Sequence, residues 1–238
     1  RRPLSQIGGR LAAQIAARLM QNDRGGMGIL LGGEAGIPPA EVVIIGAGVA
    51  GTGAMRAFVG MGAHVTVLDT DLNVLQRVYD EHPGVVTMIS YPRNIQRACS
   101  FADVVVGAIL VPGEVPPKII TRDIIRTMKP RSIVMDISID EGGCVETSRP
   151  TTHEYPTFIE EGVVHYCVPN IPSVVARTST YAFLNAAFPY ILEITEKGVD
   201  RAIEENPAIE RGTAVHKGEL RHIVRISANP EEMIHGPE

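Results

Sequence analysis

A chain of 238 residues, 45% apolar and 21% charged, holds enough material for one large buried core, or for one core and a smaller lobe. Its net charge of −5, from 22 basic against 27 acidic residues with no Lys/Arg-dense block, argues against nucleic acid as the partner. Three widely spaced cysteines (Cys99, Cys144, Cys167) make no disulfide framework or zinc motif, no apolar run is long enough for a membrane span, and Arg1-Arg2-Pro3 is no signal peptide, so a reducing cytoplasmic setting is expected.

Ile7, Leu11, Ile15 and Leu19 recur every fourth position, which predicts a helix with one apolar stripe and Ser5 as its N-cap. A glycine-rich connection from Gly25 to Gly36 follows, closed by Pro38-Pro39. Apolar, β-branched runs then alternate with amphipathic segments. Strands are expected at 42–45, 64–68, 85–89, 104–106, 133–139 and 163–168. Helices are expected at 49–61, 72–81, 95–101 and 123–128. Strands that are apolar throughout and separated by helices imply a doubly wound parallel sheet covered on both faces, an α/β fold of the Rossmann type. After Ile171-Pro172 the pattern becomes one long helix, 179–197, with Pro189 as a candidate kink and Gly198 as its C-cap. The expected domains are therefore residues 1–177 for the dinucleotide and 178–238 for a connecting helix and the remnant of a second lobe.

The first strand runs into Gly46-Ala-Gly48-Val-Ala-Gly51, a GxGxxG turn opening a helix. Gly46 permits the tight turn, Gly48 a close approach of backbone to a diphosphate, and Gly51 close packing of helix on strand. The exposed N–H groups of the turn and the positive end of the helix dipole attract the anion. Asp69 ends the second strand 18 positions after Gly51, where a carboxylate accepts ribose hydroxyls and repels a 2′-phosphate, which favours NAD over NADP. Ligands in such sheets lie at the carboxyl ends of strands, here Ser90, Ile109-Leu110, Ile137 to Asp140 and Val168 to Ile171. Asp140 follows an apolar strand on the nicotinamide side; it either orients an amine or water, or caps the turn before Glu141-Gly142-Gly143. Arg149 is a candidate ion-pair partner of Glu146. His153, His165, His216, His222 and His235 lack ligand spacing and suit surface or capping positions, so no metal is expected. Cys144 and Cys167 read as small core residues, and Tyr181 as a core residue near the start of the long helix.

These runs resemble the alanine dehydrogenase family. The turn from Gly46 to Gly51 with Asp69 is similar to it, as are Gly107-Ala-Ile-Leu-Val-Pro-Gly113, Asp136-Ile-Ser-Ile-Asp-Glu-Gly-Gly-Cys144, Ser148-Arg-Pro-Thr-Thr152, Tyr166-Cys-Val-Pro-Asn170 and Arg177-Thr-Ser-Thr-Tyr181. The resemblance extends from Pro3 to about Gly218; the related transhydrogenases share the glycine turn but not the Ser-Arg-Pro-Thr-Thr run. It implies reversible, NAD-dependent oxidative deamination of L-alanine to pyruvate and ammonia. Carried over by position, Ser5 would contact the cofactor phosphates together with Val49 and Ala50, Asp69 would hold the adenosine ribose, and Ser90 would lie near the adenine. Ile109 and Leu110 would line the channel, Arg149 would touch the cofactor, and Ile137, Ser138, Ile139 and Asp140 with Val168, Asn170 and Ile171 would surround the nicotinamide riboside. Asp140 matches the family's catalytic aspartate. Val74 departs from the pattern, standing where a basic residue can support the adenosine end. The family's substrate-holding arginine and lysine and its general acid/base histidine lie in a first lobe with no counterpart here, so the chain alone is expected to bind cofactor with negligible turnover. The family forms hexamers, which implies a homo-oligomer. The alternative is a stand-alone NAD(H)-binding module or subunit, transhydrogenase-like, without its own catalysis.

Overall fold

Four short runs dominated by Val and Ile, each bounded by loops, form the centre of a seven-stranded sheet. The computed structural model describes residues 2–112 and 114–221. In chain order the strands are β1 (Glu41–Ile45), β2 (His64–Asp69), β3 (Val86–Ile89), β4 (Val104–Gly107), β5 (Ile133–Asp136), β6 (Thr157–Glu160) and β7 (Val163–Tyr166). Their spatial order is β3-β2-β1-β4-β5-β7-β6, all parallel except β6, which runs antiparallel to β7 at the edge. The order turns back between β1 and β4, and their register pairs Ile45 with Gly107. This is the switch point at which open α/β sheets bind ligands.

The alternation of side chains along each strand builds two cores. Val42, Ile44, Val104, Val106, Ile133 and Met135 face one way, towards α1 (Arg2–Leu19), α2 (Val49–Gly60) and α3 (Leu72–Glu81). Val43, Ile45, Val105 and Val134 face the other, towards α4 (Pro92–Phe101) and α5 (Arg122–Thr127). Each fully buried aliphatic side chain contributes about 1.5–3 kcal/mol, so the strands that the apolar runs predict are also the strands that hold the fold. On the first face α1 lies directly against α2. A Cβ on Gly9 would stand 2.0 Å from the Ala50 carbonyl oxygen, so glycine is what lets the two helix backbones meet.

Several expectations change. The first helix already begins at Arg2, so Ser5 lies inside it and is not its N-cap. The strand expected over 133–139 stops at Asp136, and a 3-10 turn occupies Ile139–Glu141. Thr157–Glu160 adds an edge strand that the apolar pattern did not reveal.

The chain divides into two compact units, one ending at Ser179 and the other beginning at Thr180 and including the Pro112 and Glu114 segment. A 3-10 turn, Ile171–Val175, leads into α6 (Ala176–Lys197), which carries Pro189 within it. In the second unit α7 (Val199–Glu205) and α8 (Pro207–Gly212) follow, with a two-stranded hairpin of β8 (Val215–His216) and β9 (Glu219–Leu220). Lys197 links Glu193 at 2.8 Å to Glu205 at 2.9 Å, tying the end of α6 to α7. Tyr181 is 61% exposed, not a core residue. His222 and His235 lie outside the described residues. No helix among the described residues is long and apolar enough to cross a membrane.

Candidate functional site: the carboxyl rim of the sheet

Gly46 takes φ +99°, a left-handed conformation that only glycine adopts freely, and its N–H donates to the Leu68 carbonyl at 2.7 Å. A Cβ on Gly51 would fall 1.8 Å from the Gly46 carbonyl oxygen, so the helix can start this close to the strand only without a side chain there. At Gly48 a Cβ would meet nothing within 4 Å. The turn therefore leaves an open seat over the N-terminus of α2, with the dipole's positive end beneath it. Seat, helix and strand end fit the diphosphate of a dinucleotide.

Asp69 does more than wait for a ribose. One carboxylate oxygen accepts the Ala47 N–H at 2.7 Å and the other the Asp71 N–H at 2.9 Å. The acid thus ties the glycine turn to the start of α3, and each oxygen keeps a second lone pair for a ligand hydroxyl. Next to it, the Ser90 N–H donates to the Asp69 carbonyl at 2.9 Å, bringing the ends of β2 and β3 together.

The other half of the rim is built by side chains. Ser138 Oγ accepts the Ile109 N–H at 2.8 Å, and the Ile137 N–H donates to the Gly107 carbonyl at 3.0 Å, so the loops after β4 and β5 are tied to each other. Asp140 is exposed, and its carboxylate oxygens accept the Asn170 N–H at 3.0 and 3.2 Å. Asn170 sits at φ +49°, holding that N–H towards the neighbouring loop. Asp140 is thus a bridge between the loops that follow β5 and β7, with Ile139 and Ile171 buried and Leu110 55% exposed. Val168 is buried beside them.

The ionisable residue that ends β5 is Asp136, not Asp140, and the sequence reading passed over it. It is fully buried. Its carboxylate accepts N–H groups from Ser138 at 3.2 Å, Cys144 at 3.0 Å and Val145 at 3.1 Å, and the Cys144 thiol lies 3.7 Å away. One carboxylate folds the whole loop from 137 to 145, the loop that carries Asp140. Burial and the adjacent Asp136 charge push the Cys144 thiol well above its ordinary range, and burial raises that of Cys167, so both act as core residues.

Arg149 does not pair with Glu146, whose carboxylate accepts the Arg122 N–H instead. Its guanidinium stands 4.1 Å over the Phe158 ring, and that ring stacks on His165 at 4.9 Å. His165 is a core residue, against the expectation of a surface or capping place: it is fully buried in β7. Nδ1 lies 3.0 Å from the Val163 carbonyl and must donate to it, so Nε2 accepts from the Thr147 hydroxyl at 2.7 Å. Ser5 lies on α1 beside Gln6, whose backbone borders Gly53 of α2, and is half-buried. His153 and His216 bond Ser173 and Asp200 at the surface.

A family model described as "Alanine dehydrogenase/PNT, C-terminal domain" matches residues 12–223. The chain belongs to the alanine dehydrogenase/PNT family. Over 219 residues it is 46% identical to the alanine dehydrogenase of Mycolicibacterium smegmatis, and over 222 residues 44% identical to that of Methanococcus maripaludis. Each match covers 92% of this chain but only 59% and 60% of the relative, so the chain spans about three-fifths of the length of these relatives. A solved L-alanine dehydrogenase superposes with a TM-score of 0.89 at 39% identity, covering 93% of this chain and 61% of that one. A transhydrogenase from Sinorhizobium meliloti shares the fold, with a TM-score of 0.75 at 20% identity.

Proposed function

We propose that this member of the alanine dehydrogenase/PNT family is the NAD(H)-binding portion of an alanine dehydrogenase, an enzyme interconverting L-alanine, water and NAD+ with pyruvate, ammonium, NADH and a proton. The observation that carries the reading is the open seat at Gly48, framed by Gly46, Gly51 and the pinned Asp69. The unit ending at Ser179 is the dinucleotide-binding domain; the chain from Thr180 on is the connecting helix and part of the substrate lobe. Bound NAD would supply the hydride acceptor. The N–H groups of Val49 and Ala50 hold the diphosphate, with Ser5 as a further contact, and Asp69 accepts the adenosine ribose hydroxyls beside Ser90. Ile109, Leu110, Ile137, Ser138, Ile139, Val168, Asn170 and Ile171 enclose the nicotinamide end, and Arg149 approaches from the loop after Ser148. Asp140, exposed at that end and oriented by the Asn170 N–H, holds the amine or water at its carboxylate. Its negative charge among these neighbours suits it to stabilise an ammonium or iminium centre.

Copies of the chain associate, an expectation supported by the apolar side chains that α6 exposes: Phe183 is 50% and Phe188 53% accessible. The cytoplasm is the proposed setting, in keeping with three buried free thiols.

Titration calorimetry with NADH and NADPH tests the cofactor reading. NADH is expected to bind and Asp69→Ala to weaken it by about tenfold or more, equivalent to about 1.4 kcal/mol. Unchanged affinity and unchanged coenzyme preference in that variant would remove the support for the site. Alanine-dependent NADH production by the 238-residue chain is expected to be negligible, and robust turnover would show that it carries its own substrate site.

A further inference from the structure

The helices that follow the first four strands differ in how their first turns are closed. Asp71 caps α3 by accepting the Asn73 N–H at 2.8 Å, and Thr121 caps α5 by accepting the Ile124 N–H at 3.3 Å. Gly48 leaves the start of α2 open for the proposed diphosphate. α4 departs from both. Pro92 suits its first position, but the cap residue is Tyr91, whose side chain makes no cap hydrogen bond. A tyrosine here forgoes the stability that Ser, Thr, Asp or Asn would give. What stands there instead is an aromatic ring that is 65% exposed. Exposure alone does not single Tyr91 out, because Tyr79 is just as exposed towards the far end of α3. Its surroundings do.

Asp69 and Ile89 are register partners at the ends of β2 and β3, and Tyr91 follows Ser90 directly. It starts α4, whose Ile95, Ala98 and Cys99 pack on one face of the sheet. Leu72, exposed to the same degree, starts α3, whose Leu75 and Val78 pack on the other. The two side chains therefore flank the rim where β2 and β3 end, with Asp69 and Ser90 between them. A slot with an aliphatic wall, an aromatic wall and a polar floor matches a purine, which is apolar on its faces and polar at its edge. From this placement we infer that Tyr91 is the stacking wall of a slot for the adenine ring, with Leu72 on its opposite side. The inference rests on the proposed cofactor reading and adds what contacts the base: Asp69 serves the ribose and the glycine turn the diphosphate, and neither recognises the ring. The missing cap of α4 is then stability given up for binding.

The test titrates the purified chain with NADH and with adenosine diphosphate ribose by calorimetry, alongside urea unfolding of each variant. Tyr91→Ser is expected to weaken both ligands by about tenfold, while its urea midpoint rises because serine supplies the absent cap. Tyr91→Phe keeps the ring and should retain both affinities, and Tyr79→Ser should leave them unchanged. The chain has six tyrosines and no tryptophan, so tyrosine emission gives a direct readout. Adenosine diphosphate ribose should quench it in the unaltered chain, and less so in Tyr91→Phe. Full affinity of Tyr91→Ser for both ligands overturns the inference, whatever that variant's stability. So does a loss of affinity in Tyr79→Ser as large as in Tyr91→Ser, since the effect is then not local to the rim. If the unaltered chain binds neither ligand, the cofactor reading fails and the slot with it. If it binds both and Tyr91→Ser binds them equally well, the slot alone is removed and the cofactor reading stands.

Discussion

The two ends of the sheet's carboxyl rim are built on different principles. At the β1–β2 end main-chain geometry leads, with a left-handed glycine and a helix start held close by a missing Cβ, and a single side chain, Asp69, ties two backbone amides together. At the β4–β5–β7 end the site is side chain: Ser138, Asp140 and the buried Asp136 each capture amides of loops that would otherwise have no fixed path. On the proposed reading the first end would hold a group common to every dinucleotide, and main-chain geometry supplies most of what that needs. On the same reading the second end would place one carboxylate at a reacting centre, and side-chain networks set such a position more finely.

The sharpest way to break this contrast is at the turn. Gly46→Ala adds a Cβ at φ +99° and 2.4 Å from the Ala108 carbonyl oxygen. The left-handed conformation costs about 1–2 kcal/mol, and the overlap adds on the order of 1–3 kcal/mol. Urea unfolding is expected to show the sum, with NADH binding lost in parallel. A variant with the stability and affinity of the unaltered chain would mean that the turn's shape does not depend on glycine.

Asp136→Asn probes the opposite end. Oδ2 accepts from Cys144 and Val145 and Oδ1 from Ser138, so an amide NH₂ at either position confronts donors with a donor. The expected loss is about 2–3 kcal/mol, close to the effect at the turn. Its signature differs: affinity for adenosine diphosphate ribose, which spans the β1–β2 end, should be unchanged, while affinity for NADH falls. Equal losses for both ligands would show that the two ends are not independent.

How much of this was legible in the sequence follows the same division. The strands β1, β2, β4 and β5 and the glycine turn were readable because local chemistry dictates them: apolar runs buried on both faces, and a GxGxxG spacing with an acid at the next strand end. The edge strand β6 escaped notice because Thr-Phe-Ile-Glu is half-buried and pairs on one side only, so no apolar alternation marks it. The run from Ile133 to Ile139 reads as one long strand, yet it ends at Asp136, because a buried carboxylate gathers amides from as far away as Val145. That is a tertiary effect, and no periodicity encodes it. Asp140 could be named from position and resemblance, but its bond to the Asn170 N–H joins two loops 30 residues apart.

The smallest expected effect lies behind the side-chain end, at His165. Burial lowers the pKa of this imidazole from its ordinary value of 6.5, with the Val163 carbonyl opposing the shift. The unfolded chain therefore takes up a proton near pH 6.5 that the folded chain accepts only at lower pH. Between those values the unfolded state binds more protons, so stability rises with pH and is lost as pH falls through the window. One group contributes at most about 1.4 kcal/mol per pH unit there. Protonation would also put an N–H on Nε2, where the Thr147 hydroxyl now donates, and add positive charge to a ring stacked on Phe158 beneath the Arg149 guanidinium. Urea midpoints between pH 7.5 and 5 should fall less steeply for His165→Gln than for the unaltered chain, even if the variant starts from lower stability. Parallel pH profiles would mean that another group carries the acid sensitivity. A parallel pH dependence of NADH affinity that disappears in His165→Gln would show that the stack reaches the site through Arg149, making the side-chain end sensitive to acid where the main-chain end is not.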